Sequence, residues 1–478
     1  MMHLLAQQSG AESIDRRFIT SWKTDNAGVS GNDEIKLPLE SGGEYNFKVY
    51  WGDGNSDWIS AWDQAETTHT YASTGTYEVT IIGACRGWRF NNGGDCEKLL
   101  EIKNWGTSFR LGNNGGYFYG CTNLTITASD WLQIGGTTDF TEAFRNCSSL
   151  TDGLNVDVST VTDFSNCFTG SAFNQDIGSW DVSSATDMKF MFYNASAFNQ
   201  DIGSWDVSNV TDMQKMFRNA DSFNQDIDGW DVSNVTSMAS MFQSAAAFDQ
   251  DLNSWDVSSV TSMQNMFRST SFDGNITSWD VSSVTDMRYM FFDNPAFNQD
   301  VSGWDVSSVE QMDSMFRQCS IFNQDISSWD VSSALDMNRM FHGADAFNQN
   351  IGGWDVSSAT DLSNMFAYND AFDQDIGGWD VSSVENMNGM FFAASAFDQD
   401  ISGWDIQSLT DATDMFNSGS NFSTANYDLL LVGWEGNLHN NNVPFNAGDA
   451  QYSAGAPATA RAALVTDGWT ITDGGQVP

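Results

Sequence analysis

The sequence predicts a solenoid: a stack of about ten 25-residue coils, each a short strand plus a helical or 3-10 turn, preceded by a small β-sandwich-like domain. Three observations lead there. A tryptophan column recurs at Trp180, Trp205, Trp230, Trp255, Trp279, Trp304, Trp329, Trp354, Trp379 and Trp404, with a single 24-residue interval between Trp255 and Trp279. A unit of that size is too short to bury its own apolar face, so its stable solution is to stack on its neighbours. Before residue 107 the period is absent, and strand-like runs around Gly-rich turns replace it.

In chain order, residues 1–15 read as a flexible N-terminal segment with no basic n-region and too short an apolar run for a secretory signal. Residues 16–106 read as several strands: Tyr45–Trp51 leads into Gly52-Asp53-Gly54, and Thr68–Tyr71 precedes Gly75–Ile81. Residues 107–170 are divergent first repeats acting as an N-terminal cap, where Cys121 and Cys147 follow phenylalanines as packed thiols. Residues 171–420 carry the regular phrase Phe-Asn-Gln-Asp-Ile-x-x-Trp-Asp-Val-Ser-x-Val-Thr-Asp-Met-x-x-Met-Phe. Its first part is β-compatible, and its Met-x-x-Met-Phe part spaces apolar residues by one helical turn. Ser184-x-x-Asp187, Asn209-x-x-Asp212 and Ser283-x-x-Asp286 have the spacing of capping boxes that would open that turn. Apart from Met1 and Met2, every methionine lies in these columns, which reads as sulfur–aromatic core packing. The residue missing between Phe267 and Phe272 should be absorbed in a turn. Residues 421–478 lose the period and read as a C-terminal cap, with an Ala-rich helix at 456–465 and a final strand.

Charge removes several function classes. With 19 Lys+Arg against 63 Asp+Glu the formal net charge is −44, a field that repels phosphate backbones and anionic lipid. No run approaches the roughly 18–20 apolar residues of a membrane span, so neither nucleic-acid binding nor membrane insertion is expected. Six cysteines are too few for a disulfide scaffold and none has zinc-site spacing; Cys85 and Cys96 are placed to pair if the compartment is oxidising. The four histidines, His3, His69, His342 and His439, stand in no catalytic context, and the serines sit in turns. Like groups in rows do not supply the unlike groups that catalysis assembles, so no enzyme is expected.

What the rows supply is acid. Residues 171–420 hold 37 acidic and 7 basic side chains. One Asp column is expected to make buried turn hydrogen bonds and the other to form a solvated face. The alternative is calcium, the one cofactor this chemistry allows. Asp53, Asn55 and Asp57 alternate oxygen ligands as a calcium loop does, and Asp249/Asp251, Asp373/Asp375 and Asp398/Asp400 pair acids within a turn.

The repeat phrase, with Phe-x-x-Cys-x-x-Leu at Phe118–Leu124 and Phe144–Leu150, resembles the BspA-like leucine-rich-repeat surface proteins over about residues 107–478. That resemblance implies a leucine-rich-repeat-like solenoid, a place at the cell surface or secreted, and adhesion to proteins or glycans of another cell or matrix. It supplies no catalytic residues. The pieces Trp51-Gly52-Asp53-Gly54, Thr68-His69-Thr70-Tyr71 and Gly75-Thr76-Tyr77 resemble the PKD-type β-sandwich, an extracellular spacer. The leading expectation is a non-catalytic binding protein whose acidic face is broken locally by Lys189, Phe190, Arg288 and Tyr289, the candidate contact residues. Two alternatives stand beside it: a structural spacer or self-associating filament subunit, and an ice- or mineral-binding surface suggested by the threonines Thr186, Thr211, Thr236 and Thr261.

Overall fold

The computed structural model describes residues 16–417, 419 and 421–478, so the segment read as flexible, 1–15, lies outside the described residues. The chain forms two compact units: one runs to Val210 and includes Asn219–Phe223, and the other comprises Thr211–Arg218 and Asn224–Pro478.

The first unit begins with strands β1 (Arg17–Lys23), β2 (Glu34–Lys36), β3 (Leu39–Tyr50), β4 (Ser56–Ile59), β5 (Thr68–Thr70), β6 (Thr76–Trp88), β7 (Leu99–Asn104), β8 (Phe109–Arg110) and β9 (Thr125–Ile126). Seven of them form one open sheet in the order β4-β3-β6-β1-β7-β9, with β8 also on β6, while β2 and β5 pair separately. The long strands are antiparallel, but β8 and β9 run parallel to β6 and β7. The expected small β-sandwich is therefore corrected to an open mixed sheet. The boundary drawn at residue 106 is crossed by its hydrogen bonds. Period-2 burial sends Phe18, Trp22 and Trp88 to one face, where Phe18 stacks on Phe109 at 3.9 Å and meets Trp88 edge-on at 5.3 Å. Below them Lys98 is fully buried, its ammonium donating to the carbonyls of Ser30, Gly31 and Glu34. Asp95 accepts from the backbone N–H groups of Val29, Ser30 and Lys36, so the buried charges are satisfied and the 29–36 loop is held.

The repeats overturn the expected leucine-rich-repeat-like solenoid of strand-plus-helical-turn coils. Among the described residues, 127–423 contain no helix and no strand, only turns and single-residue parallel bridges. The reason is visible in the backbone of the Met-x-x-Met-Phe segment. Two of its residues per repeat take φ near +60°, for example Tyr289 at 57° and Asp293 at 58°, and a left-handed residue stops a right-handed helix. Alternate N–H groups then leave the repeat: Met287, Tyr289 and Phe291 donate to the carbonyls of Gln311, Asp313 and Met315 at 3.0 Å. The intervening ones close i→i−3 turns, Met290 to Met287 and Phe292 to Tyr289. Apolar residues at i, i+3 and i+4 are buried here by interleaved turns.

The recurring Phe, Trp and Asn of the phrase each have a partner one repeat away. Phe267, Phe291 and Phe316 stack at 5.8 and 5.6 Å, and Trp255, Trp279 and Trp304 at 6.4 and 6.2 Å. The indole N–H of Trp329 donates to the Val301 carbonyl at 3.0 Å, and that of Trp354 to Ile326 at 3.1 Å. Asn323 Oδ1 accepts from the backbone N–H of Asn348 and the side chain of Gln349, so Phe-Asn-Gln is a polar ladder. The proposed capping boxes do not cap. Ser184 donates to Ser159 O and Asn209 to Ser183 O in the neighbouring repeat. Where the residue is missing, Thr270 closes on Phe267 O, and Phe267 and Phe272 still stack at 3.9 Å.

After the repeats come α1 (Thr424–Gly436), β10 (Pro444–Asn446), α2 (Ala456–Thr466) and β11 (Thr470–Thr472), the strands paired in parallel. Ser423 caps α1 by accepting from Asn426 N. Trp434 on α1 donates to the Ile401 carbonyl at 3.3 Å, as the repeat tryptophans do. Among the described residues no helix is long and apolar enough to cross a membrane.

Candidate interaction surface

Counted from each tryptophan, all seven Lys and Arg of residues 171–420 stand nine, ten or thirteen residues later: Lys189, Lys215, Arg218, Arg268, Arg288, Arg317 and Arg339. The same places hold Phe190, Tyr193, Tyr289, Phe292, His342 and Phe392, aromatics outside the core columns, and Tyr368 stands one place further on, at the fourteenth. The left-handed residue at the tenth place turns these side chains away from the packed Met and Phe columns. The same places elsewhere hold Gln, Ala, Ser, Asn, Thr, Gly and Asp, so the fold itself asks for no cation there.

In the second unit these groups meet. The Phe292 ring takes the guanidinium of Arg268 at 4.8 Å and that of Arg317 at 4.8 Å, and Arg268 also lies 5.5 Å from Tyr289. His342 packs edge-on to Tyr368 at 5.2 Å, and Tyr368 lies 5.3 Å from Phe392. Burial, with Arg339 and Arg268 nearby, pushes Arg317 below its ordinary range. Burial first, then Arg317 and Arg339, pushes His342 down to about 4, which leaves it neutral at pH 7. This is a local concentration of positive charge in a strongly acidic chain. Asp313, buried beneath Tyr289 and Arg288, is pushed up to about 6, chiefly by burial and then by Asp336.

Of the residues singled out in the sequence, Arg288 and Tyr289 belong to this cluster. Arg288 grips Asp286 with Nε at 3.0 Å and Nη2 at 2.8 Å. Lys189 belongs to the first unit, where it pairs with Asp187 at 2.5 Å. The other cations and rings are departures from the recurring phrase, so the repeat pattern does not announce them. Their signal is distance from the tryptophan.

The residues of the calcium alternative are engaged with protein partners. Asp53 accepts from Asn55 N and faces His69 Nε2 at 2.8 Å, Asn55 donates to Asp53, and Asp57 accepts from the Trp51 indole. His69 of β5 and Trp51, just after β3, thus each engage a carboxylate oxygen of this loop. Among the described residues no group of three or more His, Cys, Asp or Glu is placed to hold a metal ion. The paired acids serve backbone donors: Asp373 accepts from Asp398 N, Asp375 from Gly377 N and Asp400 from Ser402 N. Both Asp columns are exposed and both close turns onto the N–H two residues on, where one had been expected to be buried. The hydroxyl and N–H of the following serine hold Asp280, Asp305 and Asp325 below the usual carboxylate range. Cys85 and Cys96 are free and buried, as are the other four cysteines, and burial raises all six thiols. The threonines do not cap. Thr236 and Thr261 donate back to Thr211 O and Thr236 O, and Glu310, Leu335 and Glu385 interrupt their row.

The chain matches a family model described as "Mycoplasma protein of unknown function, DUF285" over residues 138–255, 239–351 and 325–428. No curated protein and no solved structure matches it. The three matches overlap and together span more than half of the chain, covering the turn-built repeats with their tryptophan, phenylalanine and asparagine ladders and ending in the first turn of α1. By that coverage the chain belongs to the DUF285 family.

Proposed function

We propose that the chain is a non-catalytic binding protein that holds an anionic partner through the cation–aromatic face of its second unit. The observation that carries this reading is the sorting of all the cations, and of every non-core aromatic but Tyr368, of residues 171–420 into three places of the repeat, which packing does not require. Beyond roughly 8 Å at physiological ionic strength the remaining carboxylates are screened, so at contact the local arginines decide the sign of the interaction. Aromatic rings that hold the guanidinium planes reduce the side-chain entropy lost on binding. A cell surface or the extracellular matrix, the setting implied by the resemblance to BspA-like proteins, is the place where such a protein would act.

The test is attachment of the full chain to surfaces coated with polyglutamate, with dextran sulfate or with neutral dextran. At physiological salt the two polyanion coats should retain the wild type. A variant carrying Arg268→Ser, Arg317→Ser and Arg339→Ser should lose most of that retention while keeping its circular dichroism. Equal retention of both proteins, or equal retention on neutral dextran, would overturn the reading.

A further inference from the structure

A second feature lies in the first unit, away from the arginine places. In two early repeats the tryptophan position is filled by smaller residues, Leu132 and Val156, which bridge each other in parallel. Trp180 is therefore the first indole of its column: Phe164 and Phe168 of the preceding repeat lie 6.2 and 6.1 Å from it, but Val156 offers no indole to stack on. What the missing indoles leave is a groove of about 290 Å³, walled by Trp131 and Trp180 and floored by Leu154, Val156 and Val158. Trp131, the residue just before Leu132, stands 56% exposed. It also borders an adjoining groove of about 260 Å³, which shares Asp157.

One polar group here differs from those of the regular repeats, the Trp180 indole N–H. Trp205, Trp255 and Trp279 donate their indole N–H to a carbonyl one repeat back. Trp180 is 92% buried and its indole N–H has no acceptor among the described residues, although that donor is satisfied elsewhere in the column. Asp157, Asp176 and Asp181 line the groove, each with Oδ1 fixed by the N–H two residues on, at 3.1, 2.9 and 3.1 Å. Their Oδ2 atoms accept no hydrogen bond from the described residues. The turns thus hold three carboxylates in place and leave one acceptor oxygen on each.

From this arrangement we infer that the groove between Trp131 and Trp180 is a binding site for an uncharged oligosaccharide. A pyranose ring has an apolar C–H face to lie on the exposed Trp131 indole and equatorial hydroxyls to donate to the Asp157, Asp176 and Asp181 oxygens. One of its oxygens accepts from the Trp180 N–H. Three carboxylates with no cation among the lining residues repel a uronate or sulfated sugar. An apolar peptide would cover the same carboxylates without offering them donors, a costly burial. The groove has the size of a subsite for one or two rings. This site is independent of the arginine face, and the variants that test one leave the other intact.

The experiment is isothermal titration of the full chain with cellotetraose, chitotetraose, mannotetraose and, as the charged counterpart, tetragalacturonate. At least one neutral tetraose should bind saturably and tetragalacturonate should not. Trp131→Ala should weaken binding tenfold or more, and its exposure makes it harmless to folding. Val156→Trp restores the repeat's own residue, closes the groove and should abolish binding with the fold retained. The triple arginine variant should bind the sugar as the wild type does. Binding of none of the neutral sugars, binding of tetragalacturonate alone, or affinity unchanged in both groove variants would overturn the inference. So would a monomer–dimer equilibrium that Trp131→Ala abolishes, since the groove would then be holding a second copy.

Discussion

Two kinds of aspartate in this chain have opposite relations to pH. The turn-closing Asp280, Asp305 and Asp325 are held below the ordinary carboxylate range by serine hydroxyl and backbone donors. A depressed folded-state value means that their bonds stabilise the protein above about pH 4 and that this support is lost as pH falls through the folded value. Asp313 is the reverse. Its folded-state value is about 6 against 3.8 unperturbed, so the folded form keeps the proton that the unfolded chain releases, and stability falls as pH rises from 3.8 to about 6. Asp313→Asn should therefore gain in melting temperature over the wild type across that interval, and the gain should level off above it. Melting scans at stepped pH check this. A difference independent of pH would place the effect of Asp313 in packing alone. The raised value depends on Asp336, one repeat on, as well as on burial. A single sequence window therefore does not reveal it.

At the scale of the repeat, the polar ladder makes a measurable prediction. Asn323→Ala removes the acceptor used by Asn348 N and Gln349 and should cost about 1 kcal/mol, read as a lower denaturant midpoint at unchanged slope. Asn323→Asp keeps an acceptor, as Asp373 and Asp398 do at the same place, and should cost much less. Equal losses in the two variants would remove the ladder's role. The inward direction of Trp, Met and Phe is legible in the sequence, because burial follows the period whatever backbone produces it. The backbone is not legible. Apolar residues at i, i+3 and i+4 suit a helix and a chain of interleaved turns equally, and the residues that decide, such as Tyr289, Ser314 and Arg339, have no preference for positive φ that would announce it. The Ala-rich run of α2 is readable from composition, whereas α1, with Leu429-Leu430-Leu431-Val432 set in a fading period, is not.

For the molecule as a whole, the net charge of −44 implies self-repulsion that salt relieves. Adding sodium chloride should raise the melting temperature, and calcium should do no more than sodium chloride at matched ionic strength, with no loss on chelation. A further rise specific to calcium, reversed by chelator, would show that carboxylates gather around a cation. The candidate surfaces were less legible than the repeat because a binding face consists of departures from a pattern. Lys189, Arg288 and Tyr289 stand out singly, but the Phe292 sandwich and the groove beside Trp180 depend on which residues fall next to one another one turn of the repeat apart. The ladder bonds, bridges and ring stacks of the repeats join a residue to one at or beside its counterpart in the adjacent copy, while the i→i−3 turns close within a copy. Removal or duplication of one copy would therefore bring like side chains together at the new junction, which makes copy number a quantity that recombination can change without inventing new contacts. The binding features, tied to individual copies, are what such an exchange would carry away or double.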